Sequence, residues 1–476
     1  MIIRHFFEPL LAQSSFLVGC PATGNALVID PNRRIDQYVD AASTDGLRIL
    51  AVTDTHIHAD FVSGARALAR RTGATLYVSA EGTADCEYAF AHEAGVRGIR
   101  HGDSFRVGEI RIDVMHTPGH TPEHLTFLVS EERVSSQPFG AFTGDFLLAG
   151  DVGRPDLLED AAAGLISAEA AARDLYRSLG AFSSLPDCLL LWPGHGGGSG
   201  CHTSLGGVPA TTLADEKVAN WALNAPGQDV FVTAVLANQP DVPRYFGRIK
   251  CLNRMGTSSY GPVDGLPRIG PNQLDKLVAA YSEFIDLRPD ATVSGFLPGS
   301  IALPLTREFL SRAGSVLHYG MPVYIVASDD SQANDAADAL RLIGIDDVRG
   351  WVPDSEFQAH TDRGGVLERL VEIGPAQALE RQAAGHLLLD VRTTAEWRAG
   401  HVPGARHAPL ARLIDDTLKI DRDTRLVVYC QTGTRARAAG MVLRRVGFTH
   451  IANLAGGFAA CPPAETTAAT IQGLCS

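Results

Sequence analysis

Between residue 1 and about residue 250 the chain alternates short β-like apolar runs with stretches of helical periodicity. Asn25-Ala26-Leu27-Val28-Ile29-Asp30-Pro31 reads as a strand stopped by proline, and Leu47 to Thr53 as another that delivers the next residues into a loop. Phe61 to Arg71 has the spacing of a helix, Leu125 to Val129 and Ala141 to Phe142 read as strands, and Leu213 to Leu223 follows a glycine-rich stretch, Gly194 to Gly207, as a further helix. Residues 238–271 are rich in Pro and Gly and read as a domain junction. Mixed strands and helices of this kind predict a layered α/β domain.

The remainder repeats itself. Phe284-Ile285-Asp286-Leu287-Arg288 matches Leu388-Leu389-Asp390-Val391-Arg392, and Leu297-Pro298-Gly299 matches Val402-Pro403-Gly404. The apolar run Val323 to Val326 matches Leu426 to Tyr429, and Leu340 to Gly344 matches Leu443 to Gly447. Asp286 precedes Ala327 by 41 positions and Asp390 precedes Cys430 by 40, and Gly344 and Gly447 follow 17 positions later in both copies. Two copies of an α/β unit of roughly 100 residues, each large enough to fold, are the simplest reading. The first copy holds Ala327 where the second holds Cys430, and its loop Ser328-Asp329-Asp330-Ser331-Gln332 has no thiol, glycine or arginine. It is read as structural.

Composition adds bounds. The 476 residues, 45% hydrophobic and 20% charged, describe ordinary globular structure, with about three domains at roughly 150 residues each. A net charge of -13 argues against nucleic acid as a partner, while leaving room for a local basic patch that binds a small anion. The eight cysteines (20, 86, 188, 201, 251, 430, 461, 475) form no CxxC pair, which points to free thiols in a reducing, cytoplasmic compartment. The first 20 residues lack a signal-peptide h-region and no apolar run of 18 or more occurs, so neither secretion nor a membrane partner is expected.

Candidate metal ligands come from four segments, each after a strand-like run: His56, His58 and Asp60; His120 in Thr117-Pro118-Gly119-His120; Asp145 in Thr143-Gly144-Asp145; and His195 in Pro193-Gly194-His195. Imidazole and carboxylate suit a borderline divalent metal. Over about residues 1–220 these motifs resemble the metallo-β-lactamase superfamily, whose HxHxDH pattern is followed by single His, Asp and His ligands. One position departs: Phe61 stands where the last His of HxHxDH would help hold a second zinc. The subfamily resembled is the persulfide dioxygenases, relatives of glyoxalase II. The resemblance implies one Fe(II) held by His56, His120 and Asp145, with three positions open for substrate sulfur and O2. It places His58, Asp60 and His195 around those ligands, the alternative for them being a second metal. Arg154, in Gly153-Arg154-Pro155-Asp156, either binds a thiol substrate's carboxylate or braces its loop through Asp151 or Asp156. Cys201 either relays sulfur beside the metal or is an incidental surface thiol.

Cys430 closes the run Leu426-Val427-Val428-Tyr429 and opens Cys430-Gln431-Thr432-Gly433-Thr434-Arg435. A cysteine between a buried strand and a helix start meets converging N–H groups that lower its pKa and stabilise an anion above the loop. Gly433 permits the tight turn, and Arg435 and Arg437 add charge for an oxyanion such as thiosulfate or sulfite. Asp390-Val391-Arg392, Glu396-Trp397, Gly400-His401-Val402-Pro403-Gly404 and this loop resemble rhodanese over about residues 375–460. The six-residue loop matches sulfurtransferases rather than the related phosphatases, with Gly433, Thr434, Arg435 and Arg437 around the substrate. Cys20, Cys86, Cys188, Cys251, Cys461 and Cys475 read as packing or exposed thiols.

The expectation is an N-terminal αββα metallo-β-lactamase fold over 1–250, an inactive rhodanese-like α/β domain over 262–360 and an active one over 375–476. The implied function is oxidation of a low-molecular-weight persulfide, such as glutathione persulfide, by O2 to sulfite and thiol, joined to sulfane-sulfur transfer at Cys430. Its small-molecule partners are persulfide, thiosulfate or sulfite, and O2, its cofactor is Fe(II), and it assembles as a homo-oligomer, dimer or tetramer. The alternatives are a zinc thioesterase of the glyoxalase II type fused to a sulfurtransferase, and a non-enzymatic persulfide sensor or carrier.

Overall fold

A strand covered on both faces carries apolar residues at successive positions, and Gln13–Cys20 and Asn25–Ile29 do so. In a computed structural model, which describes residues 1–83, 86–135, 137–158, 167–196, 210–237, 239–257, 265–289 and 291–461, these strands lie inside a six-stranded sheet. Its order is Ile2–Glu8, Gln13–Cys20, Asn25–Ile29, Arg48–Thr53, Thr75–Ser79, Val96–Ile99. A second six-stranded sheet runs Thr211–Thr212, Leu190–Pro193, Gly140–Gly144, Leu125–Glu131, Ile110–His116, Ser104–Val107. Phe16, Val18, Leu27 and Ile29 of the first sheet meet Ile112, Val114, Phe127 and Phe142 of the second in one core. The opposite faces are covered by helices. Leu17, Ala26 and Val28 pack on Tyr38 of helix Asp36–Thr44 and Leu68 of helix Ala65–Thr72. Ala141 and Leu191 pack on Leu175 and Leu179 of helix Ala168–Phe182 and on Phe231 of helix Gln228–Leu236. The result is the four-layer αββα arrangement, in which truncating a filled position such as Phe127 to Ala costs about 3–5 kcal/mol.

This architecture belongs to the first of two compact units, Met1–Gln239 with Tyr245–Gly261 and Arg341–Gly344; the second comprises Pro240–Arg244, Pro262–Leu340 and Ile345–Ser476. The second unit holds two parallel sheets. One has the order Ser300–Ala302, Glu283–Asp286, Val323–Ala327, Val348–Pro353. The other has the order Val371–Ile373, Ile451–Leu454, Leu426–Tyr429, Leu387–Asp390, Arg406–His407. The internal repeat extends to side chains. Arg288 pairs with Asp286, donates to the Gly295 carbonyl at 3.0 Å and lies 3.6 Å over the Phe357 ring. Arg392 pairs with Asp390, donates to the Gly400 carbonyl at 2.7 Å and lies 3.9 Å over the Phe458 ring.

Two sequence expectations move. The helix expected from Phe61 starts at Ala65, because Ser63 Oγ accepts the Ala65 N–H at 3.0 Å and residues 61–63 stay in a loop. The stretch read as a junction contains a helix, Phe246–Met255, that belongs to the first unit. Among the described residues no helix is long and apolar enough to cross a membrane.

Candidate metal centre and thiol loop

Every candidate ligand follows the C-terminal end of a strand: His56 after Arg48–Thr53, His120 after Ile110–His116, Asp145 after Gly140–Gly144 and His195 after Leu190–Pro193. The last two strands pair in parallel, and their register slips between Phe142 and Gly144, next to Asp145. Such irregularities re-aim side chains at the ends of sheets. Gly194 must lack a side chain, since a Cβ there would stand 2.7 Å from Asp145 Oδ1. Backbone bonds from Ser14 N–H to the Gly194 carbonyl (2.8 Å) and from Gly194 N–H to the Gly144 carbonyl (2.8 Å) fix the His195 turn between the two sheets.

His56, His120 and Asp145 are buried together and each offers a ligand atom within 4.8 Å of the others. Asp145 Oδ2 lies 3.9 Å from His56 Nε2 and 3.7 Å from His120 Nε2. These spans are too long for hydrogen bonds, and shorter than the roughly 4.2 Å that can separate two donors each about 2.1 Å from one ion. The tautomers follow from their partners. Thr55 Oγ1 has one proton and stands 3.0 Å from the acceptor-only Asp30 Oδ2, so it accepts from His56 Nδ1 at 2.9 Å. His120 Nδ1 donates to the Arg154 carbonyl at 3.1 Å. Both Nε2 lone pairs are therefore turned toward Asp145. Burial pushes His56 well below the usual imidazole range, with His58 and His120 adding to it, and holds His120 at about 4. Two neutral imidazoles and a carboxylate fit a divalent metal.

His195 does something else. Its Nδ1 lies 2.7 Å from Asp145 Oδ1 and its Nε2 lies 2.9 Å from Asp60 Oδ2. Burial opposes its charge, but the two carboxylates outweigh burial and hold it well above the ordinary value, as an imidazolium. The same contact outweighs burial at Asp145 and keeps it ionised. His195 thus occupies Oδ1 and leaves Oδ2 facing the imidazoles. His58 turns away from the ligand trio, with Nε2 3.1 Å from Asp30 Oδ1. Burial again works against its charge, and Asp30 with Asp54 and Asp60 raises it to about 9. Phe61 is fully buried with its ring 4.3 Å from the His58 ring, and His58 with Asp30 and Asp54 forms a second buried group of candidate metal ligands.

Arg154 is 1% exposed and grips Asp156 through Nε at 3.0 Å and Nη2 at 2.6 Å, the contact its brace reading expected. Cys201 lies outside the described residues, as does Cys475. Sequence reading missed several residues around the centre. Asn253, from the helix Phe246–Met255, donates to the carbonyls of His58 (2.9 Å) and Phe61 (2.8 Å) and accepts from Ser63 N–H (2.9 Å), tying down the whole His56–Ser63 loop. Glu123 accepts the Ile57 N–H at 2.9 Å. The signal for Asn253 was present: residues 246–255 hold no proline and carry Phe246, Ile249 and Leu252 at helical spacing.

In the second unit Cys430 follows the strand Leu426–Tyr429, and its Sγ accepts the Gly433 N–H at 3.1 Å. Gly433 has φ +101°, a conformation that favours glycine, and the helix Thr434–Arg445 begins directly after it. Its free N–H groups and dipole favour negative charge at the sulfur. Thr434 is exposed on the first turn. The two arginines expected to meet an oxyanion are already paired. Arg435 forms a fork with Glu396 at 2.7 and 2.7 Å, and Arg437 meets Glu372 at 2.6 and 3.2 Å. Each guanidinium keeps further N–H donors beyond its carboxylate partner, and both remain close enough to Cys430 to interact with it electrostatically, so they stand beside the backbone N–H groups of the loop. Arg392 is buried and reaches Gln431 Oε1 at 3.2 Å, fixing the loop from below. In the first copy the equivalent loop carries its own anion: Asp329 Oδ1 accepts the Gln332 N–H at 2.9 Å, and Gln332 Oε1 accepts the Ser328 N–H at 3.0 Å.

The metallo-beta-lactamase superfamily model matches residues 9–195, and the rhodanese-like domain model matches residues 374–461. A metallo-beta-lactamase from Staphylococcus aureus subsp. aureus COL, 35% identical, aligns with a TM-score of 0.67 over 74% of this chain and 99% of its own. The mitochondrial persulfide dioxygenase ETHE1 of Homo sapiens is 26% identical over 231 residues, 46% of this chain and 75% of its own length. A Burkholderia pseudomallei protein named as a probable metallo-hydrolase is 29% identical over 220 residues, 41% of this chain and 72% of its own.

Proposed function

The chain belongs to the metallo-beta-lactamase superfamily and carries a rhodanese-like domain at residues 374–461, and from that premise we propose that it is a sulfur-metabolism enzyme combining an Fe(II)-dependent persulfide dioxygenase with a sulfurtransferase. The observation that carries the reading is the set of two neutral imidazoles and one carboxylate, with His195 charged beside it. A facial set of two His and one carboxylate with open positions is the ligand pattern of non-haem ferrous oxygenases. When bound, ferrous iron supplies the redox chemistry by which O2 oxidises the terminal sulfur of a persulfide, giving sulfite and thiol with water. Around it the protein's own groups hold position: Thr55 and the Arg154 carbonyl orient the imidazoles, His195 keeps Asp145 ionised, and Asn253 fixes the loop. The likeness to the human persulfide dioxygenase supports the substrate class.

At Cys430 the thiolate attacks the outer sulfur of thiosulfate or of a persulfide. The S–S bond breaks, sulfite or the thiol leaves with the electron pair, and a cysteine persulfide forms. A second acceptor then takes that sulfur and restores the thiolate. The N–H groups after Cys430 stabilise both anions.

Oxygen uptake with glutathione persulfide, on protein whose metal is quantified, tests the reading. One iron per chain with O2 consumption, lost in Asp145→Ala while thiosulfate sulfurtransfer persists, is the expected result. Two zinc ions with hydrolysis of S-lactoylglutathione and no O2 uptake would replace it with a thioesterase.

A further inference from the structure

All strands of the sheet that carries Cys430 run parallel, so their N-terminal ends share the edge opposite the sulfur loop. A cavity of about 430 Å³ opens at that edge. It is lined by Val371, Leu426 and Ile451, each the first residue of its strand, and by Arg381, His386, Arg425, Arg444, Thr449 and His450. The strand Leu426–Tyr429 separates cavity from thiol by about 13 Å. Among the described residues no carboxylate lines the cavity, in a chain whose net charge is -13.

The guanidinium groups of Arg381 and Arg425 make no hydrogen bond or ion pair among the described residues. His386 Nδ1 and Arg444 Nε are buried without a partner. Arg444 otherwise donates to the Arg369 carbonyl at 3.1 Å and stands 3.8 Å from Glu368. Arg381 and Arg444 lie in the last turns of helices, where a cation offsets the dipole. That account does not reach His386, Arg425 or His450, which sit on the turns just before strands. The charges that face His386 are Arg381, Arg425 and His450, all repulsive. An anion gathered there would relieve that repulsion, which solvent screens only in part at the exposed Arg425 and His450.

We propose that this cavity is a second anion site, independent of the Cys430 loop, that binds a small molecule bearing clustered tetrahedral oxyanion groups. A single sulfate-sized ion fills only a fraction of the volume, and cavities of this size take ligands of several groups. Three guanidinium forks match phosphoryl oxygens, so polyphosphate is the favoured chemistry; thiosulfate offers the same kind of oxyanion.

Isothermal titration on full-length Cys430→Ser protein, whose sulfur loop cannot take sulfur, tests this with pyrophosphate in one arm and thiosulfate in the other. One equivalent of pyrophosphate is expected to bind, with affinity falling steeply as salt rises. The paired change Arg381→Ala with Arg425→Ala, both on side chains without partners, is expected to weaken it about a hundredfold. The same pair introduced with Cys430 intact is expected to leave sulfurtransfer unchanged. Thiosulfate binding without pyrophosphate binding would overturn the clustered-oxyanion reading. No binding in either arm, or binding that the paired change leaves intact, overturns the proposal.

Discussion

Thr55 and Asp30 decide which nitrogen of His56 faces the ligand trio, since the hydroxyl can donate only once and Asp30 takes that proton. Thr55→Val keeps the volume and removes the relay, leaving His56 Nδ1–H without an acceptor and both tautomers open. Loss of an outer partner of this kind lowers metal affinity about 10- to 100-fold. Competition with a chelator at equal protein stability is expected to register that fall, and an unchanged affinity would mean that Thr55 does not set the tautomer. The hydroxyl was not legible in the sequence. Thr55 precedes His56 and so looks incidental, whereas its role depends on Asp30, 25 positions upstream just past the strand Asn25–Ile29. The candidate ligands themselves were legible because His and Asp recur after strand-like runs and beside Gly or Pro, a local pattern. What each does besides ligation was not, because it depends on partners such as Asp60 for His195, which lie 135 positions apart.

At the scale of elements, the two copies of the repeated unit differ in how their loops satisfy the helix that follows. In the copy that carries Cys430 the turn places the Gly433 N–H on the sulfur; in the other the Asp329 and Gln332 side chains accept loop N–H groups. Restoring the thiol alone therefore does not restore function. The double variant Ala327→Cys with Cys430→Ser is expected to show no thiosulfate sulfurtransfer in a cyanide assay, and measurable turnover would mean that the carboxylate does not block the loop. The helix Thr394–Ala399 offers a second check. Glu396 caps its N-terminus and grips Arg435. Burial works against its charge, but Arg435 and the Thr393 N–H outweigh burial and hold its carboxyl at about 2 rather than 4.5. A group depressed in the folded state stabilises it above the unfolded value and stops doing so as pH falls through the folded one. With solvent screening the contribution is about 1 kcal/mol. The gap in urea midpoint between wild type and Glu396→Gln should accordingly be full at pH 7 and close as pH drops from 4.5 toward about 2; a gap that stays constant with pH would mean the charge contributes nothing. Periodicity made the long strands readable. It lost the helix Phe246–Met255 because prolines and glycines on either side masked ten residues of ordinary helical spacing.

Across the whole molecule, the two chemistries share their currency. Oxidation of one persulfide with O2 and water yields one sulfite, one thiol and two protons. Sulfite is also an acceptor for the sulfur held on Cys430, and a second persulfide can load that cysteine. Summed, two persulfides, one O2 and one water give two thiols, one thiosulfate and two protons. If the chain has both proposed activities, their tethering would raise the effective concentration of sulfite at Cys430. Wild-type protein supplied with glutathione persulfide and O2 is therefore expected to release mainly thiosulfate at two persulfides per O2. Cys430→Ser is expected to consume O2 at the same rate and release sulfite at one persulfide per O2. Ion chromatography alongside an oxygen electrode reads both ratios. Sulfite as the main product of both proteins would mean that Cys430 works in the other direction, loading sulfur from thiosulfate onto thiol to make the persulfide that the metal centre consumes.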